Sequence, residues 1–238
     1  MLMLNNLVVS FDDNVVLNID SLSISAGEKV AIIGPSGSGK STLVHHIYEL
    51  LRPTAALCSQ RQGLVENLSV FHNIFMGALD RHSWLYNLIN LALPFNKPQL
   101  QIRTIMDTLE LDCPITQNVV NLSGGQRQRV ALGRALFQQQ SLFIGDEPFS
   151  AVDPIMGQRL LRHVFAAHES VIMVLHDTSM ALANFDRVIG LQGGEKVLDC
   201  SSKNLNATML KDFYQLQEQH PMVTQVEAYS KFNLVKQP

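Results

Sequence analysis

Apolar positions along the chain fall into runs and stripes of different period, and each predicts an element. Residues 2–10 and 15–24 are rich in Leu, Val and Ile with partial alternation, which predicts antiparallel strands around a turn at Asp12-Asp13-Asn14. Phe11 sits at that turn. Val30-Ala31-Ile32-Ile33 is a continuous apolar run and predicts a buried strand; residues 40–51 follow as a helix with Leu43, Ile47, Leu50 and Leu51 on one face. Arg52-Pro53 ends it, because the residue before a proline is pushed out of helical geometry. Residues 54–59 predict a short strand leading to Gln60. The spacing then turns helical over 70–79, 85–93, 100–109 and 125–137. Leu142-Phe143-Ile144 and Val171-Ile172-Met173-Val174-Leu175 predict strands covered on both faces, as in a parallel sheet. Between them lies a crossover helix over 154–167, with Pro154 near its first turn. Residues 188–191 and 196–198 flank Gln192-Gly193-Gly194-Glu195, a hairpin signal.

This order predicts an α/β body with a helical subdomain inserted at about residues 66–136. The main domain runs over 1–215, and 216–238 form a polar tail that is expected to be partly disordered. A hydrophobic content of 46% with 16% charged residues is that of a globular chain able to bury a core. The net charge of −3 gives no basic surface for general nucleic-acid binding. Cys58, Cys113 and Cys200 are far apart and in no metal-ligand spacing, as expected of reduced thiols in a cytosolic protein. The first residues lack the basic start and long apolar core of a signal peptide. The longest apolar stretch, 84–95, is broken by asparagines and Pro94 and is too short for a bilayer, so any membrane role is peripheral.

The chemistry concentrates in Gly34-Pro35-Ser36-Gly37-Ser38-Gly39-Lys40-Ser41-Thr42, between a predicted strand and a predicted helix. In that context the pattern G-x-x-x-x-G-K-[ST] cradles phosphate on inward-pointing N–H groups at the positive end of a helix. Lys40 supplies a full charge to the β- and γ-phosphates, and the Ser41 hydroxyl is placed to ligate Mg²⁺. The ligand is therefore a nucleoside triphosphate. Leu122-Ser123-Gly124-Gly125-Gln126 opens a second helix with a serine and paired glycines, a second anion-binding cap.

With that second motif the chain resembles the ATP-binding cassette (ABC) ATPases, over residues 1 to about 215. The resemblance implies a P-loop NTPase (RecA-like) core with an antiparallel β subdomain and the inserted helical subdomain. Residues 141–148 look like the family's Walker B segment, where an apolar strand delivers Asp146 and Glu147 to its C-terminal edge. Asp146 is there to hold Mg²⁺ or its water, and Glu147 to polarise the attacking water as general base. By the same resemblance Ser150-Ala151-Val152-Asp153 is the D-loop at the dimer contact, and His176 reaches the γ-phosphate. Gln60 is the glutamine that senses Mg²⁺ and the nucleophilic water, and Phe11 stacks on adenine. Three features depart from the family pattern. Only about twenty residues separate Lys40 from Gln60, and the usual glycine-containing hairpin there is missing, which predicts a reduced antiparallel subdomain. Gly145 replaces a large aliphatic residue before Asp146, which is expected to loosen packing beneath the carboxylates. Phe149 stands where a small or β-branched residue is common.

The resemblance also implies partners. Signature residues Ser123 to Gln126 of one subunit would close on the γ-phosphate held by another, so ATP would drive a homodimer or a pseudo-dimer of cassettes. The expected role is the ATPase subunit of a membrane transporter, at the cytoplasmic face of the inner membrane, beside separate permease chains and a periplasmic or extracellular binding protein. Residues 77–84 and the ending 209–214 look like the phosphonate-importer cassettes. Export or lipoprotein-release subunits and non-transport cassettes are the alternatives; no heptad run stands between the phosphate loop and the signature, as DNA-repair and chromosome members would carry.

Overall fold

The computed structural model describes residues 2–12 and 14–215; the tail expected at 216–238 lies outside them. The described residues form two compact units, one made of 2–12, 14–47 and 174–215, the other of 48–173.

In the first unit, strands β1 (Leu2–Phe11) and β2 (Asn14–Ile24) pair antiparallel, with Leu2 opposite Ile24 and Phe11 opposite Asn14. Their alternation buries Leu17, Ile19, Leu22 and Ile24 on one face. Strand β3 (Lys29–Ile33) is buried from Val30 onward, and helix α1 (Lys40–Leu51) follows it over the range the apolar spacing predicts. Its inward face holds Leu43, Val44 and Ile47, whereas Leu50, expected on that face, is 52% exposed.

The second unit begins with the end of α1. A single 3-10 turn, Arg52–Thr54, leads from α1 directly into β4 (Ala55–Cys58), in keeping with the shortened connection. Helices α2 (Val70–Phe75), α3 (Trp84–Ala92), α4 (Asn96–Thr108) and α5 (Gly124–Phe137) follow, with a 3-10 segment Met76–Arg81 after α2. Val70, Ile74, Phe75, Ile102, Val119, Val130 and Phe137 build their common core. Strand β5 (Leu142–Asp146) pairs parallel with β4, Cys58 opposite Gly145. Helix α6 (Pro154–Ala167) and strand β6 (Ser170–Val174) follow, with β6 on the other side of β5 from β4.

Back in the first unit come α7 (Thr178–Asn184), β7 (Arg187–Gln192), β8 (Glu195–Ser201) and α8 (Ala207–Gln215). Strand β7 runs parallel to β3, and β8 returns antiparallel to β7 through the Gly193-Gly194 turn, as predicted. Phe213 of α8 packs on Gly190 of β7, where a Cβ would lie 2.6 Å from its ring.

Helix α3 is turned opposite to its composition. Asn90 is buried, where its Oδ1 accepts the Phe95 N–H at 2.8 Å, and Asn87 Nδ2 donates to the Leu79 carbonyl at 2.8 Å. Trp84, Leu85, Leu88, Ile89 and Leu93 face outward, Trp84 at 75% exposure.

Candidate functional site

The phosphate loop lies in the first unit, between β3 and α1, the strand–loop–helix context an anion cradle requires. Gly39 has φ +93, and a Cβ there would lie 2.6 Å from Leu17 and 3.0 Å from the Val16 carbonyl, so β2 presses on the loop where only glycine fits. Lys40 is 6% exposed and its Nζ donates to the carbonyls of Gly34 at 2.9 Å and Pro35 at 2.7 Å, which folds the ammonium back over the loop. Ser38 is buried with its Oγ making no hydrogen bond. A buried hydroxyl without a partner beside a buried ammonium fits a phosphate oxygen, which accepts from both. Gly37 (φ +84) completes the curl, Ser36 is exposed, and Ser41 and Thr42 are partly exposed in the first turn of α1. In the same unit Phe11 ends β1 half-exposed, and His176 stands exposed just past β6. The next residue, Asp177, caps α7 by accepting the N–H of Ser179 at 2.8 Å and of Met180 at 3.1 Å.

The carboxylates belong to the second unit. Asp146 ends β5 and is 8% exposed; Glu147 follows with φ +52. That left-handed conformation costs a non-glycine residue about 1–3 kcal/mol and survives only where neighbours hold it. Gln60 Nε2 donates to Glu147 Oε2 at 3.2 Å, which joins the two residues expected to handle the nucleophile. Gln128, which sequence reading passed over, holds the other side. It is 3% exposed, and its Nε2 donates to the Glu147 carbonyl at 3.0 Å and to Ser150 Oγ at 3.1 Å. Its Oε1 accepts the Ala151 N–H at 2.7 Å. The only sequence sign of this role is a glutamine at a position the helix turns inward.

Gly145 does not loosen the packing beneath Asp146, contrary to expectation. A Cβ there would lie 2.8 Å from the Phe143 ring, 3.0 Å from Pro148 and 3.3 Å from Met173, so larger neighbours already fill the space. Phe149 is itself buried, at 8% exposure.

Ser123 N-caps α5 in a full capping box: its Oγ accepts the Gln126 N–H at 3.3 Å and its own N–H donates to Gln126 Oε1 at 3.0 Å. The serine hydroxyl keeps its proton free of the capping bond. Gly124 is open, with nothing within 4 Å of a Cβ, whereas a Cβ on Gly125 would lie 2.8 Å from the Ala151 carbonyl. Gly125 is thus required by the close approach of Ala151. Asp153 caps α6, its Oδ1 accepting the Met156 N–H at 2.9 Å.

The ABC transporter family model matches residues 17–150, more than half of the chain. The chain belongs to the ABC transporter family. It is an ATP-binding and ATP-hydrolysing cassette. Among curated relatives, the phosphonates import ATP-binding protein PhnC of Pseudomonas entomophila is 34% identical, covering 83% of this chain and 85% of its own. PhnC 1 of Haloquadratum walsbyi is also 34% identical, over 85% of this chain and 73% of its own. The dimeric structure of MJ0796, a bacterial ABC transporter cassette, superposes with a TM-score of 0.73 at 24% identity, covering 86% of this chain and all of that one. A nucleotide-free ATP-binding cassette from an ABC transporter gives 0.68 at 23%, over 88% and 92%. These likenesses carry the P-loop NTPase fold. Among the described residues no helix is long and apolar enough to cross a membrane.

Proposed function

We propose that this cassette powers the import of phosphonates or similar small solutes through a separate permease. The observation that carries the reading is the span of the PhnC likeness, 85% of the Pseudomonas entomophila protein's length. The outward apolar face of α3 supports a membrane-subunit partner for the helical insert at 66–136. The cassette would sit peripherally on the cytoplasmic face of the membrane, with an extracytoplasmic binding protein delivering solute to the permease.

Within the cassette, Gly34, Ser36, Gly37, Ser38, Gly39, Lys40 and Thr42 hold the phosphates, and Phe11 stacks on adenine. Ser41, Asp146 and Gln60 are the residues that would hold Mg²⁺, whose charge would stabilise the leaving β-phosphate. Glu147 takes the proton of the attacking water, oriented by Gln60; His176 contacts the γ-phosphate. Ser123, Gly124, Gly125 and Gln126 serve the nucleotide of a second copy, and Asp153 belongs to the dimer contact. The capping geometry of Ser123 supports this, because it leaves a hydroxyl donor and helix N–H groups facing out.

The test is reconstitution of the cassette with its permease and binding protein in liposomes. A phosphonate is expected to stimulate ATP hydrolysis and to accumulate on the side opposite the cassette's own less than on the cassette side. Stimulation only by a chemically unrelated solute would overturn the substrate class, and movement of solute away from the cassette side would overturn import.

A further inference from the structure

We propose that helix α5 acts as a positioning bar, with Gln128 and Arg134 together setting the placement of Glu147 relative to Gln60. The two anchors are six residues apart on one rigid helix, about 9 Å along its axis. Gln128 grips the Glu147 carbonyl, the Ser150 hydroxyl and the Ala151 N–H. Arg134 donates from Nη1 to the Gly63 carbonyl at 2.7 Å and from Nη2 to the Gln62 carbonyl, just after Gln60. The Gln60–Glu147 hydrogen bond closes the circuit.

The anchored carbonyls share one property. Glu147 has φ +52, Gln62 has φ +57 and Gly63 has φ +55, so each anchor holds backbone in the left-handed region. Gln62 and Glu147 are not glycines, and such conformations relax unless the surroundings fix them. Helix α5 thus grips backbone on both sides of the Gln60–Glu147 pair, adding to the local bonds from Gln62 N–H to the Ser59 carbonyl at 2.9 Å and from Ser150 N–H to the Glu147 carbonyl at 3.3 Å. Ser123, which caps this helix, is rigidly joined to the same bar. A displacement of α5 therefore moves both members of the pair together with the signature. Simple packing of α5 would call for apolar contacts along its inward face, which Val130, Ala131, Leu132 and Ala135 already make. It would not call for a buried amide and a guanidinium aimed at three carbonyls of left-handed residues, two of them not glycine.

This inference rests on the assignment of Glu147 and Gln60 to hydrolysis. Its test is a double-mutant cycle in the full chain with Gln128→Met, Arg134→Lys and both, read as kcat, KM for ATP, binding of a fluorescent ATP analogue and thermal midpoint. Loss of either anchor should lower kcat about 10–100-fold, as a misplacement near 1 Å does, with analogue affinity within about two-fold. The double variant should be no slower than the slower single one, because the placement is already lost. Gln128→Glu keeps the acceptor for Ala151 but not the donors to Glu147 and Ser150, and should be as slow as Gln128→Met. If the Met variant does not fold, the Glu variant replaces it in the cycle. Wild-type kcat in either single variant, losses that multiply in the double, or affinity falling in step with kcat would overturn the proposal. Wild-type turnover in Glu147→Gln would instead overturn the assignment beneath it, so the two failures are distinct.

Discussion

The side-chain amide of Gln60 donates to a carboxylate oxygen of Glu147 across 3.2 Å. The bond orients the carboxylate that is proposed to take a proton from water. Glu147→Gln keeps an acceptor oxygen for Gln60 but cannot serve as a base. Turnover should fall about 10²–10⁴-fold while ATP still binds. The stalled chain should accumulate as an ATP-bound dimer on size exclusion. Hydrolysis at the wild-type rate would remove Glu147 from the chemistry.

Lys40 places its ammonium against two loop carbonyls, at 2.9 and 2.7 Å, in a nearly closed cradle. Bonds from it to phosphate oxygens would be charge-assisted and would contribute about 1.5–3 kcal/mol. Lys40→Ala should therefore weaken ATP by about ten- to a hundred-fold. Equilibrium titration with a fluorescent ATP analogue measures this directly. Undiminished affinity would mean that the loop is not the nucleotide site.

Gly145 leaves no room for the aliphatic residue common at its position, because Phe143 and Pro148 lie 2.8 and 3.0 Å from where a Cβ would stand. Gly145→Leu should overpack the end of β5 and destabilise the chain by about 1–3 kcal/mol. Pairing it with Phe143→Val should recover much of the loss, since the two share one volume. Urea midpoints of the three variants test the pairing. A Gly145→Leu chain as stable as wild type would mean that the site is slack after all.

Burial pushes the Cys58 thiol up to about 12, with Asp146 adding to the shift and Arg134 opposing it. The folded chain then keeps a proton that the unfolded chain loses near the ordinary thiol value of 9.0. The stabilisation is complete below about pH 9 and is lost as pH rises toward 12. Between about pH 8 and 10.5 the urea midpoint of wild type should fall more steeply than that of Cys58→Ala. Equal slopes would show that this thiol does not contribute. At neutral pH the buried thiol should also resist alkylation until the chain unfolds.

Helix α1, the β7–β8 hairpin and α6 were legible because periodicity, Pro154 and the Gly193-Gly194 turn act locally. The two helix starts expected to bind anions were legible as helix starts for the same reason, since glycines and a lysine or serine in sequence suffice. Helix α3 was legible as a helix but not in its orientation. Its asparagines face inward, Asn87 bonded to the Leu79 carbonyl and Asn90 to the Phe95 N–H, while its leucines face out, an arrangement that composition alone does not show. Gln128 and Arg134 were illegible, because a polar residue within a helix reads as solvent-facing unless its backbone partners far along the chain are known. The filled space at Gly145 is likewise a tertiary fact, supplied by Phe143, Pro148 and Met173.

Ser123 separates a two-subunit cassette from a P-loop enzyme that works alone. Its Oγ accepts within its own helix, which leaves its proton available to an anion outside the helix. If that anion is the γ-phosphate on a second copy, Ser123→Arg should leave ATP binding by the monomer intact and block ATP-driven association. Lys40→Ala should also fail to associate, for want of bound nucleotide. Mixed together, the two variants can form one composite site, from the intact loop of the Ser123→Arg chain and the intact signature of the Lys40→Ala chain. Light scattering with ATP should then show no dimer for either variant alone and partial dimer for the mixture, with at most one of two sites filled. Association and hydrolysis by Ser123→Arg at wild-type levels would mean that the signature does not meet the phosphate, and hydrolysis would have to be completed within a single chain.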